Sequence, residues 1–167
     1  MKKTARYVSQ GALTAALYVA LTLLQNTLLP GSATWAIQFR ASEALCILAL
    51  FTPGAIPGLT LGCFLFNLSY SGALSLDILV GSVATLLATC SMFLLRRVCL
   101  KGYPLAAMLM PALFNALLVG WELTVYVGGG FWINALSVAV GEGAVLLSLG
   151  TALYYAIRSR HLDRFFG

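Results

Sequence analysis

Apolar residues run along this chain in long blocks, and the breaks between them are short and made of proline, glycine or basic residues. The blocks predict six helices, over residues 4–29, 40–52, 55–70, 74–95, 104–126 and 131–157. Pro30-Gly31-Ser32, Pro53-Gly54, Ser71-Gly72, Arg96-Arg97 with Lys101-Gly102, and Gly128-Gly129-Gly130 separate them. Pro57 falls in the first turn of the third helix, where a missing N–H costs nothing. The second helix is short, about thirteen residues where a membrane span needs about twenty. It must tilt, extend at one end or be surrounded by protein.

Composition turns these helices into membrane spans. The 167 residues are 60% hydrophobic and 9% charged, with a mean hydropathy of +0.93. Soluble domains carry about 25% charged residues. A chain this apolar needs the bilayer as its solvent. The fold class expected is an all-α integral membrane protein, one six-helix domain over residues 1–167. Its first apolar run follows Lys2, Lys3 and Arg6 as in a signal peptide, but it is long enough to span and is read as a retained helix.

Charge then orients the bundle. With six spans, Lys2, Lys3, Arg6, Arg96, Arg97, Lys101, Arg158, Arg160 and Arg164 all fall on one face, and Arg40 on the other. The positive-inside rule makes the first face cytoplasmic and puts both termini there. The net charge of +5 therefore reports topology, and nucleic acid is not an expected partner. Cys46, Cys63, Cys90 and Cys99 have no metal-ligand spacing, so neither metal nor disulfide is expected.

Four of the five acidic residues, Glu43, Asp77, Glu122 and Glu142, lie within or beside apolar segments. Ionisable groups at membrane depth are costly, and they line substrate paths or pair with one another. In the six-span arrangement all four occupy the outer half or the midplane, with Arg40 as the cation nearby. Gln38, Asn67 and Asn134 lie at similar depth, Asn115 deeper, and Trp35, Phe39, Tyr70, Trp121, Tyr126 and Trp132 at the same level. Bland readings compete. The aromatics fit an interfacial belt. Arg40 and Glu43 fit a structural i,i+3 pair, and Asp77 fits a charge favoured at a helix N-terminus. Glu122 and Glu142 have no basic residue within two turns on their own helices, so their partners must come from elsewhere in the bundle or from a cationic, donor-rich ligand.

Other signals narrow the function. Ala12, Ala16 and Ala20 form a small-residue stripe on the first helix, and Gly58 and Gly62 repeat the spacing on the third. Such stripes let another helix approach, either inside the fold or from a partner. There is no phosphate-binding G-x-x-x-x-G-K-[ST] loop and no H-E-x-x-H, so no cofactor or catalytic residue is expected. A small intramembrane enzyme using paired carboxylates remains the alternative from another class.

Gln38-Phe39-Arg40-Ala41-Ser42-Glu43-Ala44-Leu45, Phe51-Thr52-Pro53, Ile56-Pro57-Gly58, Gly62-Cys63, Asn67, Asp77, Gly81, Asn115-Ala116, Val119-Gly120 and Gly141-Glu142 resemble the QueT family. The resemblance spans nearly the whole chain. It implies a six-helix substrate-binding S-component of an energy-coupling factor (ECF) transporter in the bacterial plasma membrane. It further implies uptake of a queuosine precursor, and a complex with one transmembrane scaffold subunit and two cytoplasmic ATPases. The alanine stripe resembles the surface that meets the scaffold. An S-component of the same fold for another vitamin-like nutrient is the nearest alternative. On this reading Glu122 and Glu142 are the leading ligand carboxylates. Arg40 and Glu43 form a linked pair, Trp121 and Trp132 are stacking platforms, and Asn67, Asn134, Asn115, Asp77, Phe39 and Gln38 line the site.

Overall fold

The computed structural model describes residues 2–30, 39–71 and 76–165, and these are helical with no strand among them. The helices are α1 (Lys2–Leu28), a 3-10 helix (Ala41–Leu50), α2 (Ala55–Ser71), α3 (Leu76–Leu95), a single turn α4 (Leu105–Met108), α5 (Met110–Tyr126), α6 (Phe131–Val145), a π turn (Leu146–Gly150) and α7 (Thr151–Ser159). A short 3-10 turn, Leu162–Phe165, follows. Residues 131–157, expected as one helix, thus contain a π turn inside an otherwise continuous rod. Four stretches are long and apolar enough to cross a membrane: Thr4–Leu28, Leu76–Leu95, Leu105–Tyr126 and Phe131–Ser159. Ala41–Leu50 and Ala55–Ser69 are shorter apolar helices.

The bundle is built by neighbours in a row: α1 on α2, α2 on α3, α3 on α5 and α5 on α6. The 3-10 helix runs through the middle and packs on α1, α2, α3, α6, α7 and the π turn. Residues Ser42 to Leu50 are all buried. The short second helix is therefore surrounded by protein, one of the three outcomes its length allowed.

Its 3-10 winding follows from distance. Ala41 N–H donates to the Gln25 side chain at one end, and Thr52 bonds Gln10 at the other. The chain from 41 to 52 thus covers the same span as residues 10 to 25 of α1, running antiparallel to it. Fifteen α-helical steps rise about 22 Å. Eleven steps rise about 16 Å as α-helix but about 22 Å as 3-10 helix, at about 2.0 Å each. The tighter winding lets too few residues reach both ends.

α1 and α2 run parallel in close contact: Gly54 abuts Tyr7, Gly58 abuts Gly11, and Gly62 abuts Tyr18. A Cβ on Gly58 would fall on the Gly11 backbone. Part of the small-residue spacing seen in the sequence is therefore consumed inside the fold. Ala12, Ala16 and Ala20, by contrast, are all exposed on α1.

Candidate functional site

The polar residues gather where α1 ends and the 3-10 helix begins. Arg40 precedes that helix in an extended conformation (φ −105°, ψ 102°). Gln25 fixes it from α1. The side-chain amide accepts from the Ala41 N–H at 2.6 Å and donates to the Phe39 carbonyl, so it grips the backbone on both sides of Arg40. The Arg40 side chain is buried, with its guanidinium 6.0 Å from the ring centre of Phe66 on α2. Glu43 and Asp77 act on it electrostatically, and Arg40 in turn acts on Glu122 and Glu142. All four carboxylates, which the sequence left on different helices, thus lie within electrostatic reach of Arg40.

The four carboxylates are held differently. Glu43 is buried, accepting at Oε1 from the Tyr18 hydroxyl at 2.5 Å and at Oε2 from the Cys46 thiol at 3.1 Å. The Cys46 contact depends on the 3-10 winding, which eclipses side chains three residues apart. Beside it, Thr22 Oγ1 lies 2.7 Å from both Ser42 Oγ and the Tyr18 carbonyl. Glu142, on α6, is buried and receives the Asn115 amide of α5 at both oxygens, 2.6 and 2.7 Å. Asp77, half-buried in the first turn of α3, presents its carbonyl to Asn67 Nδ2 at 3.0 Å. Glu122 is buried near the end of α5, and its Oε2 has no hydrogen-bond partner among the described residues.

Asn67 is the second residue with an unmet need. It is wholly buried, its Nδ2 is engaged with Asp77 and Cys63 Sγ, and its Oδ1 has no hydrogen-bond partner among the described residues. Gly81 on α3 makes room for it, since a Cβ there would stand 2.7 Å from Asn67 Nδ2. Buried polar atoms without partners are rare in folded proteins, and each demands an account. Chemically the arrangement is a buried, acceptor-rich cluster that includes one arginine. It can bind a polar molecule that brings N–H donors.

The family model for the QueT transporter matches residues 8–159. The chain belongs to the QueT transporter family. It is a membrane protein that moves a small molecule across the bilayer rather than converting it. No curated protein and no solved structure proved similar to it.

Within this family member, the expected site residues divide. Arg40, Glu43, Asn67, Asp77, Asn115, Glu122 and Glu142 come together as described. Asn134 stands apart, its amide holding Thr124 Oγ1 at 3.0 Å and the Gly128 carbonyl at 3.1 Å across the α5–α6 turn. Trp121 and Trp132 are 50% and 78% exposed and do not join the cluster. One helical step is about 100°, so with Glu122 facing inward its neighbour Trp121 is turned away. Trp132 packs instead edge-on against Phe131, ring centres 5.0 Å apart. Phe39 is also exposed, and Gln38 and Trp35 lie outside the described residues.

The structure adds Tyr18, Thr22, Gln25, Ser42, Cys46 and Phe66, which the sequence did not mark. Tyr18 and Phe66 read as ordinary apolar-segment aromatics, and nothing local distinguishes them. Gln25 carried a faint signal, one of two adjacent amides, Gln25 and Asn26, that close a mostly apolar stretch of the first helix.

Proposed function

We propose that this chain is the substrate-binding S-component of an ECF-type importer, and that it takes up a queuosine precursor: a 7-deazaguanine such as prequeuosine base or queuine, or the nucleoside. Membership of the QueT family supports the general reading. The observation that carries the ligand class is the surplus of carboxylates: Glu43, Asp77, Glu122 and Glu142 stand against Arg40 as the one buried basic side chain among the described residues, and that surplus favours a cationic, donor-rich ligand. A deazaguanine offers a guanidine-like edge of N–H donors to carboxylates, which bind such donors strongly because the charge assists. Its carbonyl suits Arg40, and its cationic aminomethyl group suits a further carboxylate. An anionic vitamin would meet repulsion in the same cluster.

On this reading the protein is a multi-pass component of the bacterial plasma membrane with both termini cytoplasmic. It has no ATPase of its own. A transmembrane scaffold subunit and two cytoplasmic ATPases supply the energy. The exposed Ala12, Ala16 and Ala20 form the face that meets the scaffold. Ala12 also lines an apolar groove of about 430 Å³ between α1 and the start of α2, bordered by Tyr7, Pro53, Pro57 and Leu61.

Thermal-shift and calorimetric titration of detergent-purified protein with queuine, prequeuosine base, thiamine and biotin tests the ligand. Stabilisation by the deazaguanines alone is expected. Stabilisation by a vitamin alone would make the chain a binding subunit for another nutrient. Mass spectrometry of a co-purified ligand gives an independent reading.

A further inference from the structure

We infer that Glu122 Oε2 and Asn67 Oδ1 are the two protein atoms that read the ligand's N–H donors, and that Glu142 and Glu43 shape the site without touching the ligand. The inference rests on the deazaguanine reading above and assigns its recognition atom by atom.

The assignment follows from where acceptor capacity is spent. Glu142 has an amide hydrogen bond at each oxygen from Asn115. Glu43 has a hydroxyl on one oxygen and a thiol on the other. Both residues are about 1% exposed and lie within packed helices. Each of their oxygens thus has a donor from the protein within hydrogen-bond distance. Glu122 (5% exposed) and Asn67 (0%) are also buried, yet each has an oxygen with no hydrogen-bond partner among the described residues. An unmet buried acceptor loses its hydration without compensation. Two such atoms are tolerable when an incoming molecule brings the donors.

Their setting fits that role. Both border Asp77: Asn67 bonds its carbonyl, and its charge acts on Glu122. α3, which carries Asp77, packs on both α2 and α5, the helices that carry Asn67 and Glu122. Arg40 lies over the ring of Phe66, also on α2. Glu122, the carboxyl group of the two, takes the guanidine-like edge, whose ring N–H and exocyclic amino group are the donors. Asn67 takes a further N–H. Specificity then comes from the exocyclic amino group: a base lacking it leaves a buried carboxylate oxygen unpaired, which is how polar sites reject close analogues.

The test is a titration of wild type, Glu122→Gln, Asn67→Ala and Glu142→Gln with prequeuosine base and with its analogue lacking the 2-amino group. Wild type should bind the analogue about 10- to 100-fold more weakly. Glu122→Gln should bind prequeuosine base more weakly by a similar factor, and its discrimination between the two ligands should fall below about threefold. Asn67→Ala should weaken both ligands together, and Glu142→Gln should keep the wild-type discrimination. A Glu122→Gln protein that still discriminates like wild type, or a Glu142→Gln protein that has lost discrimination, overturns the assignment. Glu122→Gln preserves shape, and thermal unfolding of each variant identifies a change that comes from folding. Wild-type protein that binds neither base would overturn the deazaguanine reading itself, whatever the variants do.

Discussion

The amide nitrogen of Asn115 reaches both carboxylate oxygens of Glu142, at 2.6 and 2.7 Å, and ties α5 to the last turn of α6. The pair is 27 residues apart in sequence and buried on both sides. Removing one partner strands the other. Asn115→Ala should cost about 1–3 kcal/mol, the penalty of an abandoned buried acceptor. In a Glu142→Gln background the same substitution should cost at least about 0.5 kcal/mol less, because the stranded group is neutral. Unfolding of the four proteins in one detergent measures this cycle. Additive costs would show that the contact contributes nothing.

The Tyr18 hydroxyl bonds Glu43 Oε1 at 2.5 Å, linking α1 to the 3-10 helix. Tyr18→Phe keeps the ring in its buried place and deletes only the donor. A loss of about 1–3 kcal/mol in stability is expected. Ligand discrimination should stay as in wild type, since Glu43 is assigned no ligand contact. Unfolding and titration on the same preparation separate the two effects.

Gln25 grips the peptide groups flanking Arg40 with both ends of its amide. Gln25→Glu replaces the donor with a second acceptor, which faces the Phe39 carbonyl. Arg40 then loses its fixed starting point. Affinity for the ligand should fall about tenfold, since one hydrogen bond of positioning is worth about 1 kcal/mol or somewhat more. A Gln25→Glu protein with wild-type affinity would show that Arg40 is positioned by its other contacts.

Two small residues on the same pair of helices should behave in opposite ways. Gly58 meets the Gly11 backbone, so Gly58→Ala forces α1 from α2 and should cost about 1–3 kcal/mol. Ala16 is exposed, so Ala16→Leu should change stability by less than about 0.5 kcal/mol and leave ligand binding intact. If the stripe is the scaffold face, Ala16→Leu should nonetheless reduce co-purification with the scaffold and ATPase subunits. Unchanged recovery of the complex would remove the stripe from that role.

Much of this architecture was legible before any coordinates. Apolar blocks longer than a span, bounded by proline, glycine and basic clusters, fix where helices lie, because a bilayer tolerates no other local solution. The shortness of the second helix was also visible, and so was the need to surround it. Its winding was not visible. The reason is that residues 41 to 52 must match residues 10 to 25 of another helix, a distance no local pattern records. Trp121 and Trp132 show the same limit. Depth placed them beside the carboxylates, but only the rotation of α5 and α6 turned them outward.

The sequence by itself determined that the chain is an all-helical membrane protein, that its acidic residues are the anomaly, and, through its motif pattern, which family it joins. Those are properties of composition and local spacing. Tertiary structure alone decided which carboxylates are equivalent. Helix packing brought Asn115 to Glu142, Tyr18 to Glu43 and Arg40 into the cluster. Among the described residues it left Glu122 and Asn67 each with one unpaired oxygen. A hydrogen bond is satisfied or unsatisfied only by what lies within about 3 Å, and that is set by how helices distant in sequence are rotated against each other.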